Sequence, residues 1–337
     1  MKCKMCDIWQ NQTDKKLEIT YQELDNFLSP NSLEIINVTG GEPFMRSDLE
    51  EIVEVCFKKS KRVVISTAGW HVNKIIKLAN RFPQIGIRIS IEGLCHNNDR
   101  IRGHKGGFDR IIKALNELRN MGIKDIGFGI TASYGNSGDM LELYELSKAL
   151  GYEFATATLH NSFYFHKKGQ LVPNVEQVKK DFSELVKRML KEKKIKSWYR
   201  AWFNLGLINY LNGKKRMLPC EAGTVNYFIE PYGDVYPCNG LEEIYWKKSM
   251  GNIKDYQNIE DLWYSDQANK VRNLVKTCPK NCWMIGTASP VMRKYPKGPT
   301  MWVIKNKINS ILNKPIDTNK FPHIDVGQNP KQGDLRL

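Results

Sequence analysis

Five short apolar or β-branched runs recur along the first half of the chain, at Glu34–Thr39, Arg62–Thr67, Gly86–Ile91, Asp125–Thr131 and Glu153–Leu159. Each has the length and residue type of a buried strand. Between them the apolar positions shift to helical spacing. After Ser47, the residues Leu49, Ile52, Val53 and Cys56 share one face, as a helix covering a sheet requires. Further amphipathic stretches lie at His71–Arg81, Phe108–Met121 and Gly138–Leu150. Thr20 with Glu23, and Ser47 with Glu50, have the spacing of capping boxes. A repeat of about 30 residues per strand and helix is that of βαβ crossovers, which predicts a parallel sheet. An open or closed α/β barrel follows, with its chemistry on loops at the carboxyl ends of the strands.

From Asn174 the rhythm changes. Asn174–Asn212 reads as one or two long basic helices, with the cluster Lys187–Lys196 as a solvated face. After Gly213 the composition turns to Gly, Pro, Cys and aromatics, the mark of a small loop-rich module. Within it, Phe228–Cys238 reads as two short strands joined by a turn through Pro231 and Gly233. Beyond Pro315 the chain is polar and is expected to be loosely ordered.

A length of 337 residues suggests two domains. With 41% hydrophobic and 26% charged residues, wholesale disorder is excluded. A chain this long buries a core without disulfides, so its eight cysteines are not needed as staples. There is no run of about 18 apolar residues to span a bilayer. The best candidate, Trp198–Leu211, is interrupted by Arg200, Asn204 and Asn209. The first residues carry no apolar signal region, so a cytoplasmic location is expected, where clustered cysteines more often bind metal than pair. A net charge of +15 favours an anionic partner such as nucleic acid, a phosphorylated substrate or a membrane surface, without choosing among them.

The chain opens with Cys3-Lys4-Met5-Cys6-Asp7-Ile8-Trp9, and its first predicted strand ends in Thr39-Gly40-Gly41-Glu42-Pro43. A C-x-x-C alone speaks for metal or redox chemistry. Together with a Gly-Gly-Glu-Pro strand end, it resembles the radical S-adenosylmethionine (SAM) superfamily, whose signature is C-x3-C-x2-C. The resemblance covers about residues 1–160. It implies that Cys3 and Cys6 hold a [4Fe–4S] cluster to which SAM binds, with the first cysteine of the signature two residues before Met1. The chain is therefore expected to be truncated, lacking that ligand and the first barrel strand, and to hold this cluster poorly as given. The same resemblance assigns Thr39, Gly40, Gly41, Glu42 and Pro43 to the SAM amino group. It assigns polar SAM contacts to Ser66 and Thr67. Ser90 and Glu92, in Ser90-Ile91-Glu92-Gly93, fall to the ribose. Here Glu stands where the family carries Asp. Arg102, in Asp99-Arg100-Ile101-Arg102-Gly103, is implied to pair with the methionyl carboxylate, a task suited to a guanidinium.

Cys220, Cys238, Cys278 and Cys282 form a second set. Four thiolates suit one tetrahedral zinc ion or one [4Fe–4S] cluster. The layout C-x12-G-x4-C followed by a distant pair resembles the SPASM/twitch extension of radical SAM enzymes, which implies an auxiliary [4Fe–4S] cluster. Cys56 reads as a small core residue, and Cys95 lies in a loop expected to face the site, more as filler than as a hydrogen donor. His160, at a strand end, is a candidate for the substrate pocket. Tyr227, Tyr232 and Tyr236 read as strand aromatics.

The resulting expectation is an α/β fold, a partial (βα)6 radical SAM barrel plus a small Cys-rich α+β module. Its divisions are a core over 1–173, a helical linker over 174–213, an auxiliary-cluster domain over 214–314 and a tail over 315–337. The implied activity is reductive cleavage of SAM and hydrogen abstraction from a peptide side chain or a sugar or aminocyclitol. An external reductant such as ferredoxin or flavodoxin would supply the electron. A tRNA- or nucleotide-modifying enzyme, or a metal-binding protein without catalysis, are the alternatives.

Overall fold

The computed structural model describes residues 2–167, 169–240 and 248–323. All five expected strands are present, each within two residues of its sequence boundaries: β1 (Ile36–Val38), β2 (Val63–Thr67), β3 (Gly86–Ser90), β4 (Ile126–Ala132) and β5 (Glu153–Thr158). They form one sheet in the order β1-β2-β3-β4-β5, every neighbour parallel. Both faces are covered, so the central strands are apolar at nearly every position; in β2, Val63, Val64, Ile65 and Thr67 are all buried. The crossovers are α2 (Leu49–Lys59), α3 (Val72–Arg81), α5 (Gly107–Asn120) and α6 (Met140–Leu150), which end close to where the helical spacing ends. Every strand therefore delivers its carboxyl end, and the loop after it, to the same rim.

Two details of the sequence reading are corrected. The box at Thr20–Glu23 forms, on α1 (Tyr21–Phe27). That at Ser47–Glu50 does not: the residue before α2 is Asp48, and its carboxylate is drawn sideways into a two-pronged bond with Arg46, at 2.9 Å on each side. An eight-residue helix, α4 (Cys95–Arg102), also occupies the segment read only as a motif, and it stops at Gly103 in the left-handed conformation.

The segment 174–212 folds as two helices, α7 (Val175–Lys191) and α8 (Ile195–Leu211). Phe182, Leu185, Val186, Trp202, Leu205 and Ile208 put their inner faces into the same core as the sheet. Lys187, Lys191, Lys193, Lys194 and Lys196 are exposed, so the charge run is a solvated face. The later module is less loop-rich than its composition suggests. A hairpin of β6 (Phe228–Ile229) and β7 (Asp234–Tyr236), joined by β8 (Gly251–Asn252), makes a three-stranded antiparallel sheet. Four helices follow: α9 (Ile259–Tyr264), α10 (Asp266–Lys276), α11 (Ile285–Lys294) and α12 (Lys297–Ile311). Gly and Pro stand inside the last two, and the Gly, Pro and Cys between and before the helices masked their period in the composition. A second core joins Phe27, Leu28 and Leu33 to Val235, Met250, Ile259 and Leu262. Residues from the start of the chain and from the hairpin module thus share one apolar cluster. The tail expected to be loose lies outside the described residues from 324 onward; before that, Thr318 is buried and bonds Ser183 at 3.0 Å.

Candidate active site

At the rim, the first pair of cysteines sits on a loop that three neighbours hold. Lys4 N–H donates to Ile101 O at the end of α4 (2.9 Å), Asp7 N–H donates to Phe165 O (2.9 Å), and Lys167 Nζ donates to Lys4 O. Gly103 receives the loop's backbone. Its φ is +67°, and a Cβ there would lie 2.5 Å from Lys2 O, so only glycine lets the two chains meet. Cys3 and Cys6 are half-buried. Burial pushes both thiols up, and the guanidinium of Arg102 pulls both down.

Arg102 is 9% exposed and faces Glu92, which is 2% exposed, at 3.7 Å. Glu92 accepts from Thr131 N–H at 2.8 Å, and its own backbone is held by Asn98 and Asn136. Burial raises the Glu92 carboxyl, against the pull of Arg102 and the Thr131 bond. Arg102 Nε is buried without a hydrogen-bond partner. A buried orphaned donor on a cation, beside two thiols, is built for an anion. A cofactor carboxylate meets that requirement, so the residues present fit SAM.

The remaining expected SAM residues line the neighbouring strand ends. Glu42 accepts from Thr67 Oγ1 (2.7 Å), Ala68 N–H (2.7 Å) and Phe44 N–H (3.3 Å), so its carboxylate ties the loop after β1 to the loop after β2. Pro43 is buried below it, Thr39 and Gly41 are exposed, and Gly40 is half-buried. Gly41 also lies against Ile8, where a Cβ would approach the side chain to 3.2 Å. Ser66 donates to Asn37 at 3.0 Å, and Ser90 is half-buried at the end of β3.

The second set of cysteines is gathered from three segments. Cys220 and the buried Cys238 flank the hairpin and pack with Phe228, Tyr236 and Val275. Cys278 and Cys282 follow α10. Burial pushes the Cys238 thiol up to about 12, and the Cys220, Cys282 and Cys278 thiols push it the same way. Cys282 is also raised by burial, with Arg216 opposing. Arg216 donates to Cys282 O, lies 5.1 Å from the centre of the Trp283 ring, and keeps Nη2 buried without a partner. Four thiols that feel one another around a buried cation with an unused donor fit an anionic cluster. Among the described residues, no three His, Cys, Asp or Glu side chains close tightly enough to hold a single ion.

One segment, 159–167, touches both sets. Phe165 and Lys167 hold the Cys3–Cys6 loop. Tyr164 meets Phe228 of the hairpin edge-on at 4.9 Å, and burial pushes its hydroxyl up to about 12. Ser162 donates to Asn239 O, while Lys280 Nζ donates to Asn161 O (2.9 Å) and Gly240 O (3.0 Å). His160 does not line a pocket. It is buried, accepts from Trp283 N–H at 3.0 Å through Nε2, contacts Thr158 O at 2.7 Å through Nδ1, and stacks on Tyr210 at 4.2 Å. The ring is therefore neutral, and burial holds its pKa down at about 4. Cys95 opens α4 and is exposed rather than turned inward. Lys280 and Arg216 were missed by the sequence reading. Lys280 had a signal, its place between Cys278 and Cys282, whereas Arg216 had none.

Residues 1–146 match the model of the radical SAM superfamily, and residues 220–283 match SPASM, described as an iron-sulfur cluster-binding domain. The chain is 30% identical over 156 residues to an Fe-coproporphyrin III synthase of Methanosarcina barkeri, covering 43% of this chain and 37% of that one. It is 29% identical over 236 residues to the mycofactocin maturase MftC of Mycolicibacterium smegmatis (68% and 57%). It is 25% identical over 264 residues to the sporulation killing factor maturation protein SkfB of Bacillus subtilis (77% and 59%). The chain thus spans between 37% and 59% of the length of these relatives. Among solved structures, it resembles anSMEcpe with bound AdoMet and the Kp18Cys peptide, with a TM-score of 0.59 at 15% identity over 93% of this chain and 96% of that one. It also resembles Streptococcus suis SuiB bound to precursor peptide SuiA, with a TM-score of 0.52 at 17% identity over 76% and 63%.

Proposed function

From the premise that this chain is a radical SAM protein with a SPASM iron–sulfur domain, whose cofactors are SAM and [4Fe–4S] clusters, we propose that it modifies a peptide side chain. The observation that carries this reading is the 159–167 segment, which contacts both the Cys3–Cys6 loop and the module of the second cysteine set and so ties the two cluster sites to one frame. Two relatives named for maturing mycofactocin and a sporulation killing factor support it, as do peptide ligands on fold neighbours. When bound, the reduced cluster and SAM supply a 5′-deoxyadenosyl radical that takes hydrogen from an unactivated C–H bond.

The chain's own residues position and exclude. Arg102 presents Nε to the methionyl carboxylate, with Glu92 fixing the guanidinium from behind. Gly40 and Gly41 let backbone reach the amino group, and the Glu42 carboxylate keeps their loop in place. Ser90 lies half-buried at the same rim, while the Thr67 and Ser66 hydroxyls bond Glu42 and Asn37 and hold the strand ends that frame it. Cys3 and Cys6 would supply two of the three thiolates of the catalytic cluster, and Cys220, Cys238, Cys278 and Cys282 would hold the auxiliary one, with Arg216 as a fixed counter-charge. The divisions at 173, 213 and 314 are part of this proposal. A tetrapyrrole substrate is the second reading, favoured by the Methanosarcina barkeri relative.

The test is anaerobic reconstitution of the chain, extended at its N-terminus so that the C-x3-C-x2-C signature is complete, followed by SAM, dithionite and any short peptide encoded beside the gene. Formation of 5′-deoxyadenosine with a mass change on the peptide is expected. Conversion of a tetrapyrrole precursor to Fe-coproporphyrin III, with no peptide modified, moves the assignment to the second reading. Zinc without sulfide in the auxiliary site would sink both.

A further inference from the structure

Five of the fifteen large apolar side chains left exposed among the described residues lie on α12 or next to it. Met301 is 63% exposed, Ile304 55%, Ile308 50%, Ile311 65% and the adjoining Leu312 56%. Their steps of three, four, three and one place them along one side of the helix. Contacts fix the other side as the inner one. Val303 and Asn306 are buried, Thr300 meets the Tyr199 hydroxyl, and Lys307 lies 4.9 Å from the Trp198 ring. Scattered exposed apolar residues need no explanation, but five in one row on one helix do.

The row is edged by charge of a single sign. From Lys297 to Lys314 there are four lysines and no acidic residue. Lys307 Nζ donates to Leu190 O (2.8 Å) and Glu192 O (2.9 Å), which sets the second half of α12 against the connection between α7 and α8. There Lys191, Lys193 and Lys194 are exposed, and Ile195 is 63% exposed beside them. The face carries aliphatic chains rather than the Trp, Tyr and Arg anchors of protein interfaces. Long lysines beside an aliphatic row can lift their ammonium groups while the row sinks, the chemistry of a helix lying in a lipid interface. With 15 residues α12 is too short to cross a bilayer, and no described helix is long and apolar enough to do so.

We propose that α12, with the α7–α8 connection, is a peripheral docking surface for anionic membrane lipid. Met301, Ile304, Ile308 and Ile311 enter the boundary between headgroups and acyl chains. Lys193, Lys194, Lys297 and Lys305 rest on lipid phosphates. This reading is independent of the substrate assigned above.

The test is sedimentation of the iron-loaded full chain with vesicles rich in phosphatidylglycerol and, separately, with vesicles of pure phosphatidylcholine. Binding is expected to the anionic vesicles only and to weaken with added salt. Ile304→Asn with Ile308→Asn should abolish it while leaving the circular dichroism and thermal midpoint unchanged, since both side chains are exposed. Lys193→Gln with Lys194→Gln should weaken it by roughly tenfold or more. No binding to either vesicle, or equal binding by the Ile304/Ile308 variant, overturns the proposal. So does a concentration-dependent dimer abolished by the same variant, which would give the face to a second copy.

Discussion

Gly206 lies in the middle of α8, where replacement by alanine would ordinarily stabilise the helix by about 1 kcal/mol. Here the added methyl would lie 2.1 Å from Nε1 and 2.2 Å from Cε2 of Trp283. Relaxed contacts need about 3.5 Å or more, so the indole must retreat by about 1.4 Å. It has nowhere free to go. Trp283 is 1% exposed, sits with its ring centre 5.5 Å from that of Trp202, and donates from Nε1 to Phe203 O at 2.9 Å. Overpacking costs about 1–3 kcal/mol, and an indole N–H left buried without its acceptor costs about 1–3 kcal/mol more. Gly206→Ala should therefore lose roughly 1–5 kcal/mol, the opposite sign to the helix term. Urea unfolding of a double-mutant cycle with Trp283→Leu isolates the contact. In the Trp283→Leu background the same alanine should stabilise by about 1 kcal/mol. A neutral or stabilising Gly206→Ala in the parent chain, or an equal cost in both backgrounds, would refute the reasoning. Because Trp283 follows Cys282, the parent variant should also retain less iron at the auxiliary site.

Three further outcomes follow from the same geometry. His160 has a folded pKa of about 4 against an ordinary 6.5, so its contribution is present above pH 6.5 and is lost as pH falls toward 4. That gap is worth about 3 kcal/mol, and unfolding of the metal-free chain should show it as a pH slope missing from His160→Gln; parallel profiles would remove the assignment. Arg102→Met strands the buried Glu92 carboxylate and should cost about 3–5 kcal/mol, most of it recovered when Glu92→Gln is added, as chemical denaturation would read. Thr20→Ala breaks the capping box of α1 and should lower stability by about 1 kcal/mol, with an unchanged denaturant slope.

The sheet was legible because each strand is buried on both faces, which prints a continuous apolar run on the chain. α9–α12 were not, since they are short or carry Gly and Pro and sit in a segment whose Cys, Gly and Pro content reads as loop, although α10 does bury the single stripe Ala268, Val271 and Val275. At the rim, the Gly-Gly-Glu-Pro and Asp-x-x-Arg-Gly runs could be read because they resemble the radical SAM family's motifs, although the contacts they make, Gly103 with the Lys2 carbonyl and Glu42 with the next strand end, are not visible in the runs themselves. What stayed hidden was long-range. Nothing beside His160 announces Trp283, and nothing beside Arg216 announces Cys282. Both partners lie far along the chain, and both residue types are ordinary where they stand.

The segment 159–167 also has a consequence for how the chain reaches its native state. Its contacts join residues 123 apart (His160 with Trp283), 119 apart (Asn161 with Lys280) and 77 apart (Ser162 with Asn239). Loop closure over such distances must be met before any of these bonds forms, so contacts of this kind come late and slow the search. The parallel sheet can assemble from its neighbours in order, one crossover at a time. Docking of the hairpin onto this segment therefore belongs among the late steps, together with closure of the second core onto Phe27, Leu28 and Leu33, and it gives the two cysteine sets their common frame.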